Sequence, residues 1–202
     1  IYNALAASLN PGDEVVMLAP YWMSYPGMTK LHRGRPVFVP TCPEEGFRPD
    51  PDSLERALTP RAKWLILNSP GNPSGAVLTG PELAGLAEVL RRHPGVWVLS
   101  DDIYEHLVFG GARFTSLLNE APDLAERTLV VNGLSKAYCM PGWRLGYAAG
   151  PAELIKAMFK VQSQSTSGAT TCTWVQEIPP ASEPSCQKTI CSRVAVSETV
   201  VR

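Results

Sequence analysis

The segment VNGLSKAYCMPGWRLGYAAGP, residues 131–151, places Lys136 on a turn that follows an apolar run. The preceding letters LVV are typical of a strand buried in a parallel sheet. Ser135 comes directly before the lysine and Arg144 follows it, and a hydroxyl with a guanidinium suits a phosphate group. A deprotonated lysine forms a Schiff base with an aldehyde. The segment therefore predicts a site for a phosphorylated carbonyl cofactor such as pyridoxal 5'-phosphate.

Two further apolar runs end in side chains that complement such a site. The run VWVLSD ends at Asp101, with Tyr104 three residues beyond it, and WLILN leads into a loop that contains Asn72. A carboxylate beside the pyridine nitrogen keeps that nitrogen protonated. The Tyr104 hydroxyl and the Asn72 amide both suit the phenolic oxygen of the ring. Since the carboxyl ends of parallel strands share one edge, we expect these side chains to lie near Lys136.

Four motifs in a fixed order carry a family resemblance: APYWMSYPGM, NSPGNPSG, SDDIYEHLVF and NGLSKAYCMPGWRLGY. With them the sequence resembles the class I aminotransferases of pyridoxal phosphate fold type I, most closely the bacterial aspartate aminotransferase branch, which also contains aromatic and prephenate aminotransferases. The resemblance covers about residues 1–170. It implies an α/β large domain with a mostly parallel sheet and helices on both faces, incomplete at both ends.

The resemblance also implies the reaction and a role for each site residue. The reaction is transfer of an amino group between an amino acid, aspartate or a similar one, and a 2-oxo acid, in a protein that is a homodimer when intact. Gly133 stands where some relatives have a second serine, which removes one hydroxyl from the phosphate site. The implied roles are catalysis by Lys136, Asp101 and Tyr104, contact of Asn72 and Tyr104 with the phenolic oxygen, stacking of Trp22 on the ring, and phosphate binding by Ser135 and Arg144.

Each of these residues also has an ordinary structural interpretation. Trp22 suits a core aromatic, Asn72 a turn residue and Arg144 a surface cation. Asp101 and Asp102 together suit a helix cap or a solvated pair. At the level of function, a lyase or an aminocyclopropane carboxylate synthase-like enzyme of the same fold type is one alternative. A non-catalytic truncated fragment is another.

Composition narrows the class of protein. The chain has 202 residues, 45% of them hydrophobic and 18% charged, and its net charge is −1. That charge gives no electrostatic case for nucleic acid or an anionic membrane as partner. No apolar run is long enough to cross a bilayer and the N-terminus lacks a secretion pattern, so a cytoplasmic location is expected. The five cysteines lack metal-ligand spacing, which predicts reduced thiols and no metal site.

Strand and helix patterns alternate over the first 170 residues. A capping box of Thr79 and Glu82, with Pro81 in the first turn, marks the clearest helix, TGPELAGLAEVLRRHPG. Another helix is predicted to begin near Asp52, and PAELIKAMFKVQSQ predicts a third. Between and around them the predicted strands are GDEVVMLAP, RPVFVPT, KWLILN, VWVLSD, TLVVNG and RLGYAAG. This alternation predicts a mostly parallel sheet covered by helices.

The two ends of the sequence depart from the family pattern. The chain opens in the rear of a helix whose front, in the family, carries a glycine-rich phosphate-binding stretch, and no residue matches the family's arginine for the substrate carboxylate. We therefore divide the chain into a partial cofactor-binding domain, 1–170, and an atypical tail, 171–202. The tail's Pro179 and Pro180 and its irregular pattern favour a shifted reading frame or a misassembled gene, with a divergent or disordered loop as the alternative.

Overall fold

A computed structural model describes residues 1–165 and the backbone of 175–177. One seven-stranded sheet, in the order β2-β1-β3-β4-β5-β6-β7, forms its centre. Strands β1 to β5 are parallel, whereas β6 runs antiparallel to β5 and β7 pairs parallel with β6. The strands are β1 (Glu14–Ala19), β2 (Arg35–Pro40), β3 (Ala62–Asn68), β4 (Trp97–Asp101), β5 (Thr128–Gly133), β6 (Gly146–Gly150) and β7 (Val175–Glu177).

Helices cover both faces of this sheet, as the sequence predicts. On one face α3, α4 and α5 pack on a core that includes Leu65 and Leu67 of β3. On the other face α1, α2 and α6 pack on a second core that includes Trp64 and Ile66. Alternate residues of one strand thus enter opposite cores, as the pleat requires. The helices are α1 (Tyr2–Ser8), α2 (Ser24–Leu31), α3 (Pro51–Ala57), α4 (Gly80–Arg92), α5 (Leu117–Glu120) and α6 (Ala152–Ser165).

The predicted elements are confirmed, with one addition that matters for the site. At the start of α4 the Thr79 amide donates to Glu82 Oε2 at 2.7 Å, so the capping box forms. The added element is α2, a helix whose short segment contains a proline and a glycine and was not predicted. It lies between β1 and β2 and carries Tyr25 into the second core.

Strands β3, β4 and β5 end together at one edge of the sheet. Asn68 is in register with Asp101, and Asp101 is in register with Val131. Asn68 Nδ2 also donates to the Asp101 carbonyl oxygen at 2.8 Å. The loops that hold Asn72, Asp101–Tyr104 and Lys136 therefore leave the sheet side by side, as predicted.

Of the tail at 171–202, only 175–177 falls within the described residues, and the predictions for the rest lie outside them. Within the described residues Cys42 and Cys139 are free thiols. The same part of the chain holds no helix long and apolar enough to cross a membrane, and no group of three acidic, histidine or cysteine side chains placed to hold a metal.

Candidate functional site

Asp101 is a buried carboxylate at the carboxyl end of β4. Its side chain is only 6% exposed, and Tyr25 of α2 donates a hydrogen bond of 2.5 Å to its Oδ2. Burial raises the pKa of Asp101, and the hydrogen bond from Tyr25 acts in the opposite direction. The pKa of Tyr25 is raised as well, by burial first and then by the neighbouring Asp101. The tyrosine therefore fixes one oxygen of this carboxylate.

Asp102 is buried too, at 5% exposure, and accepts a 2.7 Å hydrogen bond from Ser100 Oγ. Burial raises the pKa of Asp102 to about 7, helped by the negative charges of Glu105 and Asp101. Two adjacent carboxyl groups thus share a poorly solvated strand end. The interpretation of Asp101 and Asp102 as a solvated pair is wrong.

Asn72 and Tyr104 meet above the same strand ends. Asn72 Nδ2 lies 3.3 Å from the Tyr104 hydroxyl oxygen and donates to it. The Asn72 backbone amide donates to Asn68 Oδ1 at 2.8 Å, which anchors the loop to the end of β3. Two side chains predicted to serve one phenolic oxygen are therefore brought together, and their binding of that oxygen remains a prediction.

Lys136 and Ser135 lie on the turn after β5. The turn is closed by a hydrogen bond of 3.1 Å from the Cys139 amide to the Lys136 carbonyl oxygen. Lys136 is exposed, and within residues 1–165 its side chain has no hydrogen bond or ion pair. Lys136 comes five residues after Val131, the register partner of Asp101. The structure brings this turn to the edge that bears Asp101, without direct contact between the two side chains.

Arg144 and Gly133 shape the end of this segment. Arg144 is exposed, has a left-handed backbone with φ of 54°, and donates to the Pro141 carbonyl oxygen at 3.1 Å. The structure places no contact between it and Ser135. At Gly133 a Cβ atom would lie 2.9 Å from the Leu145 carbonyl oxygen. A side chain there would require the Leu145 backbone to shift.

Trp22 lies in the segment between the carboxyl end of β1 and the start of α2. It is 39% exposed and packs edge-on against Tyr25, with ring centroids 5.4 Å apart at an interplanar angle of 90°. Its interpretation as a core aromatic is wrong. Tyr25 itself was missed in the sequence, because its contact with Asp101 joins residues 76 positions apart.

The fold is that of an α/β protein, and its candidate site residues lie at the carboxyl ends of parallel strands. The chain belongs to the family of aminotransferases of class I and II, whose profile matches residues 1–179. This confirms the resemblance carried by the four motifs, and with it the large domain of pyridoxal phosphate fold type I.

Similar proteins are aspartate and aspartate/prephenate aminotransferases. The chain is 61% identical over 167 residues to the aspartate/prephenate aminotransferase of Cereibacter sphaeroides, covering 83% of this chain and 42% of that protein. It superimposes on the crystal structure of the Rhizobium meliloti aspartate aminotransferase with a TM-score of 0.80, 53% identity, and coverage of 82% and 41%. For the Thermus thermophilus enzyme with maleate the TM-score is 0.76, the identity 50%, and the coverage 83% and 42%. The chain thus spans about 42% of the length of its curated relatives.

Proposed function

We propose that this protein transfers an amino group between an amino acid and a 2-oxo acid with pyridoxal phosphate as cofactor. The observation that carries the proposal is the buried Asp101, held by Tyr25 at the same sheet edge as the Lys136 turn. Aspartate is the proposed amino donor, since relatives that are 51–61% identical are named aspartate or aspartate/prephenate aminotransferases. Those names also make prephenate a 2-oxo acid to assay as acceptor.

The residues present fit the cofactor. Burial raises the pKa of Asp101, and a cationic ring nitrogen beside it favours the ionised carboxylate and offsets that burial. The Asn72 amide and the Tyr104 hydroxyl, 3.3 Å apart, together suit a phenolate oxygen. Lys136 is exposed and without a carboxylate partner in the described part of the chain, so its amine is accessible to an aldehyde. Ser135 and Arg144 are the proposed phosphate ligands on the same segment.

The chemistry divides between cofactor and chain. When bound, pyridoxal phosphate supplies the carbonyl that takes up the amino group and the ring that accepts the electron pair of the substrate α carbon. Asp101 holds the proton on the ring nitrogen, and Tyr25 keeps that carboxylate in place. Lys136 Nζ would hold the cofactor carbonyl covalently and, once the substrate amine has displaced it, would accept the proton of the substrate α carbon as general base. Trp22, whose side chain is partly exposed, would stack on one face of the ring and shield it from water.

The proposal extends to organisation and location. Residues 1–170 serve as part of the cofactor-binding domain, a division supported by the alignment of relatives over 166–170 residues.

A homodimer is supported by large apolar side chains left exposed near the site, such as Met23 at 81% and Trp143 at 63%. We assign the protein to the cytoplasm. Sedimentation velocity of the purified protein tests the dimer.

Trapping of the cofactor on Lys136 tests the function. Pyridoxal phosphate is added to the purified chain, the mixture is reduced with borohydride, and the peptides are analysed by mass spectrometry. We expect one pyridoxyl adduct on Lys136, absent in Lys136→Ala and retained in Asp101→Asn, because the lysine supplies the covalent bond. Lys160→Ala, which removes an exposed lysine of α6, is the matched control and keeps the adduct. Adducts spread over surface lysines, or an undiminished adduct yield in Lys136→Ala, contradict the proposal.

A further inference from the structure

The side chain of Asn132, near the end of β5, makes two hydrogen bonds, one to a residue earlier in the sequence and one to the next residue. Its Nδ2 donates to Glu105 Oε1 at 2.7 Å, and its Oδ1 accepts from the Gly133 amide, also at 2.7 Å. Glu105 belongs to the turn after β4, only four residues beyond Asp101. One side chain therefore joins the turn that follows Asp101 to the start of the turn that holds Lys136.

Glu105 and Gly133, the two hydrogen-bond partners of Asn132, are each held by further backbone contacts. The Glu105 amide donates to the Asp102 carbonyl oxygen at 2.9 Å, and the Asp102 amide donates to the Val131 carbonyl oxygen at 3.0 Å. Gly133 packs so closely on β6 that even a methyl group there meets the Leu145 carbonyl oxygen. Asn132 thus lies between two segments that are each held by backbone contacts.

A second contact links the same two turns beyond the lysine. His106 Nε2 lies 3.3 Å from Glu105 Oε1, and the His106 ring packs edge-on against Tyr138 with centroids 6.2 Å apart. Tyr138 is two residues after Lys136. Residues 105 and 106 therefore contact the lysine turn on both sides of Lys136, through Asn132 before it and Tyr138 after it.

We propose that Asn132 and Glu105 are positioning residues that hold the Lys136 turn in register with Asp101, an inference that rests on the proposed function. The Lys136 amine and the Asp101 carboxylate serve opposite ends of one cofactor, so their separation has to be fixed to a fraction of an ångström. In the sheet Asp101 is in register with Val131, and β5 pairs with β6 as far as Gly133. The Asn132–Glu105 hydrogen bond adds a side-chain link between the segments that lead to Lys136 and away from Asp101.

A reciprocal exchange of donor and acceptor tests the inference. Asn132→Asp places a carboxylate against Glu105 and breaks the link, whereas Glu105→Gln keeps an acceptor for Asn132. The double variant N132D/E105Q restores one donor facing one acceptor. In the chain without cofactor, we expect N132D to speed amide hydrogen exchange in residues 133–139 about tenfold, E105Q to change it little, and the double variant to restore it. With pyridoxal phosphate, we expect the trapped Lys136 adduct to form more slowly in N132D, and at close to the wild-type rate in E105Q and in the double variant.

The controls separate this inference from the proposed function. Asn119→Asp makes the same chemical change at the exposed capping residue of α5 and leaves exchange in 133–139 unchanged. Glu105→Ala carries the test if N132D does not fold, with faster exchange in 133–139 as the expected result. Wild-type exchange in N132D or in E105A, or a double variant no better than N132D, overturns the inference. Absence of any Lys136 adduct in the wild type overturns the proposed function, while the exchange data still decide on the link.

Discussion

At the scale of single residues, the candidate site contains a buried carboxyl group, Asp101, on whose ionisation two opposing effects act. Burial disfavours its ionised form, and the donor on Tyr25 favours it. The tyrosine is itself 2% exposed, so neither partner has water as a substitute for the other. A donor buried against a carboxylate contributes more than an exposed one, because its loss leaves a buried charge without compensation.

Tyr25→Phe removes this donor and little else. We expect the free energy of unfolding at pH 7 to fall by roughly 1.5–3 kcal/mol, the range for hydrogen bonds to charged groups, and the pKa of Asp101 to rise further. Urea unfolding measures the first effect. Tyr21→Phe is the matched control, because the Tyr21 ring stacks on Phe38 and its hydroxyl has no hydrogen bond in the described residues. Equal losses in the two variants contradict this account.

Asp101 was predictable from the sequence and Tyr25 was not. The carboxylate follows an apolar run, and a strand end is a place where a polar residue signals function. The tyrosine is 76 residues away in sequence from Asp101, in a segment whose proline and glycine argue against a helix. Packing of α2 on the second core overrides that local preference. Contacts of this kind depend on tertiary structure, which a single sequence pattern does not encode.

At the scale of elements, the strands and long helices were predictable because their periods are strong. The five buried residues of α4 follow the helical period, and a capping box marks its first turn. The end of α4 is different. Arg127 reaches back to it, with Nη2 donating to the Leu90 carbonyl oxygen at 2.7 Å and Nη1 donating to those of His93 and Val96. Every residue has a backbone carbonyl group, so the sequence does not indicate which carbonyl groups Arg127 caps.

Arg127→Met keeps the length of the side chain and removes the cap. We expect the free energy of unfolding to fall by roughly 2–4 kcal/mol, because carbonyl groups at the negative end of the helix lose a cationic donor. Chemical denaturation monitored by circular dichroism measures the change. Arg113→Met is the matched control, since Arg113 is exposed and makes no ion pair or hydrogen bond in the described residues. A loss below 0.5 kcal/mol, roughly the limit for surface substitutions, contradicts the assignment.

At the scale of the whole molecule, two buried acidic groups are neighbours at the carboxyl edge of the sheet, a third, Glu14, begins β1 at the opposite edge, and the two faces are apolar. Asp101 and Asp102 are both buried at the carboxyl edge, so folding at neutral pH carries a cost that the two cores offset. The sequence predicted the sheet, its faces and this edge, because alternation and strand ends follow from local patterns. It did not predict that Asp102 is buried, because Asp102 is polar and lies outside the strand pattern.

The pH dependence of unfolding reports this cost. The pKa of Asp102 is 3.8 when unfolded and about 7 when folded. Between those values the folded state binds more protons than the unfolded state, so stability falls as pH rises. Asp102→Asn keeps the acceptor for Ser100 Oγ and removes the titration. We expect the wild type to lose stability relative to the variant from pH 4 to 7, by up to about 4 kcal/mol.

Asp123, whose pKa is lowered on folding where that of Asp102 is raised, gives the control for this experiment. The pKa of Asp123 is lowered, chiefly by its hydrogen bonds from Arg91. Its contribution to stability is therefore present above the unfolded pKa and lost as pH falls. Asp123→Asn should lower stability at pH 7 and leave it unchanged in strong acid, the reverse of Asp102→Asn. Parallel stability curves for the wild type and Asp102→Asn between pH 4 and 7 contradict the raised pKa of Asp102.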